Sequence, residues 1–497
     1  MSPTPTSQAV VLPSQSEVTT EVTQEAATEE VEGEDKVTIR LTRCTFNLGE
    51  SDSAQVQKVE DAINEYIDGK INVEIELEDI SAGDYSVELW EKIRRDETDL
   101  FWTASWYGPD GIGTQNLYEK GYVYDLSDQL VGSKLFDSMP TNVWVAARYN
   151  DTSQCFVPIY KECAEGYSLI VRKDLADRYG YGSDITGVSN WNDFVPFLYD
   201  AERDGIKYPF CTQGTAIFSK VAMNRYEFFT QNTESDWIAV DRATNRVVCT
   251  VETEDYRDFV SLMSSFGANG FIATEDQVGE YIDIYSNISD IAMTWWQNIP
   301  NDEQEIRSRY GEDFYIIPVT LRWVNTVSVL GSCYAVSANC SPEEAKACVD
   351  FLGLLYTDSN LADLYTYGIL GEDFEYDSEG AVMQYSSLYN HSMWESASVL
   401  AVSPAYGNPA NMQDMYREFV EFAYSPLTAG FQFDPSPVYP QYKACCEVFR
   451  QYGFLLENGV VWPSDVDRYI DEYLNALYEA GLGDILSEFS AQYDAWK

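Results

Sequence analysis

Apolar and polar positions alternate through VTIRLTRCTF, residues 37–46, with β-branched side chains recurring on one face, and the pattern predicts a strand. The period then lengthens: Val56, Val59, Ile63, Tyr66 and Ile67 fall on one side of a helix, and Asp52 with Gln55 predicts a capping box at its start. INVEIELEDI, residues 71–80, predicts a second strand, the stretch to Arg95 a second helix, and the apolar run LFWTASW, residues 100–106, a third strand. Strands separated by single helices are the pattern of a parallel sheet.

A second series starts near Tyr160. SLIVRKDLADRYG reads as strand into helix, NWNDFVPFLYDAERDG as helix, and YPFCTQG as a strand running into a loop. FYIIPVTLRWVNTVSVLGSCYAVSANC, residues 314–340, reads as strands. The following helix is capped by Ser341, with Pro342 in its first turn, Glu344 completing a capping box and Ala345, Cys348, Leu352 and Leu355 as its core stripe. The remainder is mostly helical and ends in DVDRYIDEYLNALYEAG, where Val466, Tyr469, Ile470, Tyr473, Leu474 and Leu477 recur at helical spacing and Gly481 caps the end. No repeat of solenoid period is present.

At 497 residues the chain exceeds one ordinary core, so the two α/β halves imply two large lobes. Residues 1 to about 36 are rich in Ser, Thr, Pro, Glu and Gln, bury too little to offset their ordering entropy, and read as a flexible tether. Against 31 Lys and Arg stand 82 Asp and Glu, a formal net charge of −51, which repels phosphate backbones and anionic lipid and favours a neutral or cationic ligand. The ten cysteines have neither zinc spacing nor the density of a disulfide scaffold; their pairing stays open, with Cys445 and Cys446 read as two faces of a helix. No apolar run reaches the length of a membrane span.

His391 is the single histidine, so multi-histidine metal sites are impossible, a Ser-His-Asp triad is fragile, and this residue reads as a hydrogen-bonded loop or cleft side chain. There is no phosphate loop, and Gly108, Gly111 and Gly113 read as a turn. DFEYDSEG, residues 373–380, lacks the glycine and late glutamate of a calcium loop. No cofactor or metal is implied. The positive signal is aromatic: Trp102, Trp106, Trp295, Trp296, Trp323 and Trp394 stand beside polar residues near predicted strand ends, and such faces suit pyranose rings.

FVPIYKECAEGYSLIVRKDLADRYG, residues 156–180, resembles the family 1 extracellular solute-binding proteins of sugar ABC importers, with a proline-containing crossover and a strand that ends in a Lys-Asp-Leu helix start. LFWTASW, AMTWWQNIP, the 329–358 segment, LYTYGILGEDFEYDSEG and the ENG-containing C-terminal helices are similar, in order, to the DUF3502-containing lipoprotein LipO branch of that family, over about residues 37–497. The resemblance implies an α/β, periplasmic-binding-protein-like type II fold. Its first lobe would be 37–157 with 319–357, its second 158–318 with 358–497, joined by a hinge near Pro158 and Pro318. It also implies a monomer on the outer face of a Gram-positive cell membrane, held by a lipid anchor and serving ABC permease subunits; neither signal nor lipid-modified cysteine precedes Cys44.

Carried onto this chain, the resemblance places Asn47, Trp102, Ser105, Trp106, Lys161, Glu162, Glu165, Trp295, Trp296, Tyr367, Glu372 and Trp394 at the ligand. Neighbouring residues of a strand face opposite ways, so one of Trp295 and Trp296 is expected in the core. Lys161 and Glu162 read equally as a hinge pair. The function implied is capture of a neutral oligosaccharide; a peptide or polyamine receptor and a secreted carboxylate-dependent glycosidase are the alternatives.

Overall fold

The computed structural model describes residues 36–46, 52–107, 111–149, 152–188, 190–215, 217–228, 235–272, 282, 284–389 and 391–497. In chain order its strands begin with β1 (Val37–Thr45), β2 (Val73–Ser81), β3 (Leu100–Thr103), β4 (Phe156–Pro158), β5 (Tyr167–Arg172) and β6 (Tyr208–Cys211). A small three-stranded sheet follows, β7 (Tyr226–Glu227), β8 (Ile238–Asp241) and β9 (Arg246–Cys249), then β10 (Ile291–Gln297), β11 (Phe314–Pro318) and β12 (Cys333–Val336). Two sheets carry the architecture, ordered β2-β1-β3-β12-β4 and β11-β5-β10-β6. As expected, β1 runs parallel to β2 and β3. The later strands, β4 and β12, enter the first sheet antiparallel to each other.

The helices form where the period predicts them. Helix Ser53–Ile67 buries Val56, Val59, Ile63 and Ile67, and Asp52 accepts from the amides of Ala54 and Gln55. Gln55 does not return the bond as a capping box would; it donates to Asp373 Oδ2 at 2.7 Å instead. Ser341 and Glu344 do form the reciprocal box, and all four stripe residues of helix Pro342–Leu355 are fully buried. In helix Val466–Ala480 the buried face is Val466, Ile470, Tyr473 and Leu477, and Gly481 ends it at φ 106°. Residues 314–340 are less extended than expected, because the short helix Thr326–Val329 separates β11 from β12. All ten cysteines are unbridged and buried, Cys445 and Cys446 among them, so neither faces solvent.

Each sheet has its own core, and the packing departs from the expected lobe division on one segment. Leu361, Tyr365, Tyr389, Val402, Phe419 and Val420 are buried in the same core as Ile39, Phe101 and Val336. Residues 358 to about 420 therefore belong with the first sheet, because their apolar side chains complete its cover. The helices after 430 pack instead with β8 and β9. The chain thus crosses between the lobes in segments 159–166, 319–332 and 421–428, and β4 and β11 each close on the proline from which a crossover departs. Trp323 ties the crossovers together, pairing with Glu165 on one side and Tyr424 on the other.

Candidate ligand-binding cleft

The first lobe contributes an aromatic wall. After β3 the chain makes a single turn, Ser105–Tyr107, that exposes Trp106. Trp106 stacks on Tyr107 with centroids 4.4 Å apart and donates through Nε1 to the Gly331 carbonyl at 2.8 Å, which fixes its ring while 46% of the residue stays exposed. Trp102 is fully buried, its Nε1 bonded to Ser332 Oγ at 2.8 Å. Ser105 is buried too, donating to the Val327 carbonyl. Trp394, half-buried, lies 4.8 Å from Phe46 and 6.1 Å from Trp102.

Beside the crossovers is a chamber of ≈170 Å³ whose polar wall includes Glu165, Lys220, Glu227, Asp236, Arg242 and Asn325. Glu165 accepts from the Tyr167 hydroxyl at 2.5 Å and from Asn325 Nδ2 at 2.7 Å, so its carboxylate spans two crossing segments. Glu227 accepts from the amides of Leu427 and Thr428, at 2.8 and 3.0 Å, and pairs with Arg242. The Arg242 guanidinium in turn lies 3.3 Å over the Trp323 ring. This buried pair grips the second and third crossovers from the second lobe.

Lys220 stands on the short helix Phe218–Ala222, bonded to Thr215 Oγ1 at 3.1 Å and 4.2 Å above the Trp295 ring. Burial draws its pKa down to about 8, against the pull of Asp236, Glu457 and Glu165. Burial also pushes Asp236 up to about 7 and Glu457 up to about 8, the latter reinforced by the Asp236 charge. Glu457 receives the amides of Ile217 and Phe218 at 2.9 and 3.0 Å, and Asn458 Nδ2 donates to the Thr215 carbonyl at 3.2 Å. The Glu-Asn-Gly turn thereby positions the loop after β6 and the lysine it presents. Asp236 Oδ2 is buried with no partner in the protein, and its residue lines the chamber.

A second chamber, ≈300 Å³, lies between Trp394, Met393 and Tyr416 of the first lobe and Asn301, Glu305 and Arg309 of the second. Lys161 and Glu162 of the first crossover close its base as an ion pair. Burial opposes both charges, yet each holds the other: Lys161 sits above its ordinary value and Glu162 below.

Of the expected ligand residues, Glu165 lines the first chamber, Lys161, Glu162 and Trp394 line the second, Trp106 is exposed but lines neither, and Trp295 backs Lys220. Trp102 and Ser105 lie beneath the wall. Trp296 is on the opposite face of β10, 7% exposed and bonded to Asp302 Oδ1 at 2.6 Å, as strand alternation requires of one of the two. Tyr367 is buried in the first lobe with its hydroxyl on the Ser403 carbonyl, because helix Ser359–Tyr367 packs on that lobe. Glu372 is exposed and paired with Lys58. Asn47 lies outside the described residues. Sequence reasoning missed Lys220, Glu227, Asp236, Arg242 and Asn325; only YPFCTQG, a strand ending in a polar loop, pointed toward Lys220. Among the described residues no cluster has the makings of a metal site, and Asp377 of the 373–380 segment caps its own turn through the amides of Glu379 and Ala381.

Two sheets with separate cores, three crossing segments and a cleft between them define a two-lobed, type II periplasmic-binding-protein-like fold. Residues 427–497 match the family described as a domain of unknown function, DUF3502, which is where the resemblance placed the C-terminal helices of that branch. The fold is that of the N-glycan transport solute-binding protein NgtS from Streptococcus pneumoniae, at 17% identity, TM-score 0.76 and coverage of 93% of this chain and 99% of that one. It is likewise similar to a human-milk-oligosaccharide (HMO)-binding, ABC-transporter-associated solute-binding protein from Bifidobacterium longum infantis (12% identity, TM-score 0.60, 93% and 99% covered). A third similar structure is the ABC-transporter substrate-binding protein FusA from Streptococcus pneumoniae (12% identity, TM-score 0.57, 92% and 99% covered). No curated protein sequence matches the chain.

Proposed function

We propose that this chain is the extracellular receptor of an ABC importer, capturing a neutral oligosaccharide between its lobes and passing it on unaltered. The observation that carries the reading is the mix of aromatic and hydrogen-bonding side chains at the crossovers: Trp394 lines the second chamber, Glu165, Asp236 and Asn325 line the first, and Trp106 stays exposed on the first lobe. Rings accept the apolar faces of pyranoses while carboxylates and amides take their hydroxyls. Arg242 is paired with Glu227, Lys161 with Glu162 and Arg309 with Glu305, so three of the four cations lining the chambers are already held by carboxylates, and the fourth, Lys220, bonds Thr215 Oγ1. The similar structures support the class: NgtS is described in complex with Man5GlcNAc and FusA in complex with kestose.

Contacts from both lobes favour the closed state by as much as that state binds sugar more tightly, so binding shifts a hinge equilibrium that permease subunits can read. In this reading the first lobe is 37–158 with about 333–420, the second about 167–318 with 429–497, and segment 1–36 tethers a monomer to the outer face of the membrane. The test is a thermal-shift and calorimetric comparison of Man5GlcNAc, kestose, spermidine and a pentapeptide, with the sugar recovered afterwards. A neutral glycan at 100 times its Kd is expected to add about 2.7 kcal/mol of stability and to return intact. A response to spermidine or peptide alone, or a cleaved sugar, overturns the reading.

A further inference from the structure

The single histidine is part of a buried ionic network that the binding reading leaves unused. Arg43 and Asp79 are register partners on β1 and β2, and Arg43 Nε donates to Asp79 Oδ1 at 2.8 Å. The other Asp79 oxygen accepts from His391 Nε2 at 2.7 Å, and His391 Nδ1 lies 3.8 Å from Glu395 Oε1. Glu395 accepts the Ser392 amide at 2.9 Å, closing a capping box on the helix Met393–Ser396. Arg43 is further held by the Tyr389 hydroxyl at 2.7 Å and the Tyr365 carbonyl at 3.2 Å, its guanidinium 4.7 Å over the Tyr365 ring. Side-chain exposure is 5% or less for all four.

Four ionisable groups in a lobe core are costly where apolar side chains would pack as well, and such networks trade stability for a specified geometry. Both ends of this one reach the aromatic wall. Glu395 adjoins Trp394, and Arg43 lies on the strand that delivers Phe46, the ring against which Trp394 rests. The helix carrying Trp394 is four residues long and cannot hold its shape alone.

We propose that Arg43, Asp79, His391 and Glu395 are positioning residues for Trp394, locking its turn to the first sheet so that the ring stands ready at the cleft. The consequence for ligand binding rests on the sugar-receptor reading, but the positioning does not. A test without sugar lets the two fail separately. Burial pushes Glu395 up to about 8, so glutamine is a close mimic of its neutral form.

The experiment is fluorine NMR of the full chain labelled with 5-fluorotryptophan, with W394F assigning the Trp394 signal among the twelve tryptophans. His391→Gln and Glu395→Ala are expected to shift or broaden the Trp394 signal while those of Trp191 and Trp462 in the second lobe stay in place, and Glu395→Gln is expected to leave Trp394 unmoved. A Trp394 signal unchanged in folded H391Q and E395A overturns the proposal. So does a general loss of the folded spectrum in both, which would make the network a plain requirement of the lobe.

Discussion

Trp102 and Trp106 stand in one seven-residue motif and have opposite fates. Trp102 is fully buried, so Trp102→Ala removes a large core side chain and should cost about 3–5 kcal/mol, read by denaturant unfolding. Trp106 is 46% exposed and held by a single indole bond and a stacking tyrosine, so Trp106→Ala should leave the unfolding midpoint nearly unchanged and weaken glycan affinity by about tenfold, measured by calorimetry. Composition marked both as aromatic and neither as exposed. The same limit applies to Trp295 and Trp296, where strand alternation said that one is core but not which. The missed residues share a cause: Lys220, Asp236 and Arg242 are ordinary charged letters in a chain crowded with charges, and only burial together made them distinctive.

Elements were the most legible level, because periodicity is local. Strands and helices form where apolar residues recur at two or at three to four, and the caps at Ser341 and Gly481 follow from side-chain and backbone chemistry within a few residues. What elements do to each other is another matter. Gly267 lies where helix Glu254–Ala268 meets the turn after Glu457, and a Cβ there would come within 1.9 Å of the Gly459 carbonyl. Gly267→Ala should therefore destabilise by about 1–3 kcal/mol in thermal or denaturant unfolding, although alanine is the better helix former. Glu227 stitches two crossovers to the second lobe, and Glu227→Ala strands both Arg242 and the amides of Leu427 and Thr428. A loss of about 3–5 kcal/mol is expected, together with a broadened interlobe distance distribution in spin-label measurements.

Across the whole molecule the buried carboxyls set the response to pH. Burial raises Asp236 to about 7, Glu119 to about 7, and Glu395 and Glu457 to about 8. The native state therefore keeps protons that the unfolded chain releases near pH 4, and this stabilisation is complete at acid pH and lost as pH climbs through 7 and 8. His391, whose pKa is lowered chiefly by burial, acts oppositely, favouring the fold as pH rises toward its unfolded value, but it is one group against four. Urea unfolding from pH 5 to 8 should thus show stability falling with pH. The net charge of −51 adds self-repulsion that salt screens, so the midpoint at pH 8 should rise with added sodium chloride.

The order of most strands and helices and the two-lobed class were present in the chain itself, since each depends on spacing within a few residues or on a motif read whole. The lobe to which residues 358–420 belong, the face of Trp296, the burial of Tyr367 and the meeting of Glu165, Asp236 and Asn325 were decided only by tertiary packing. The physical reason is that long-range contacts pair residues hundreds of positions apart through apolar burial. That force has no direction and little residue specificity, so many partners would satisfy a given stripe until the surrounding core selects one.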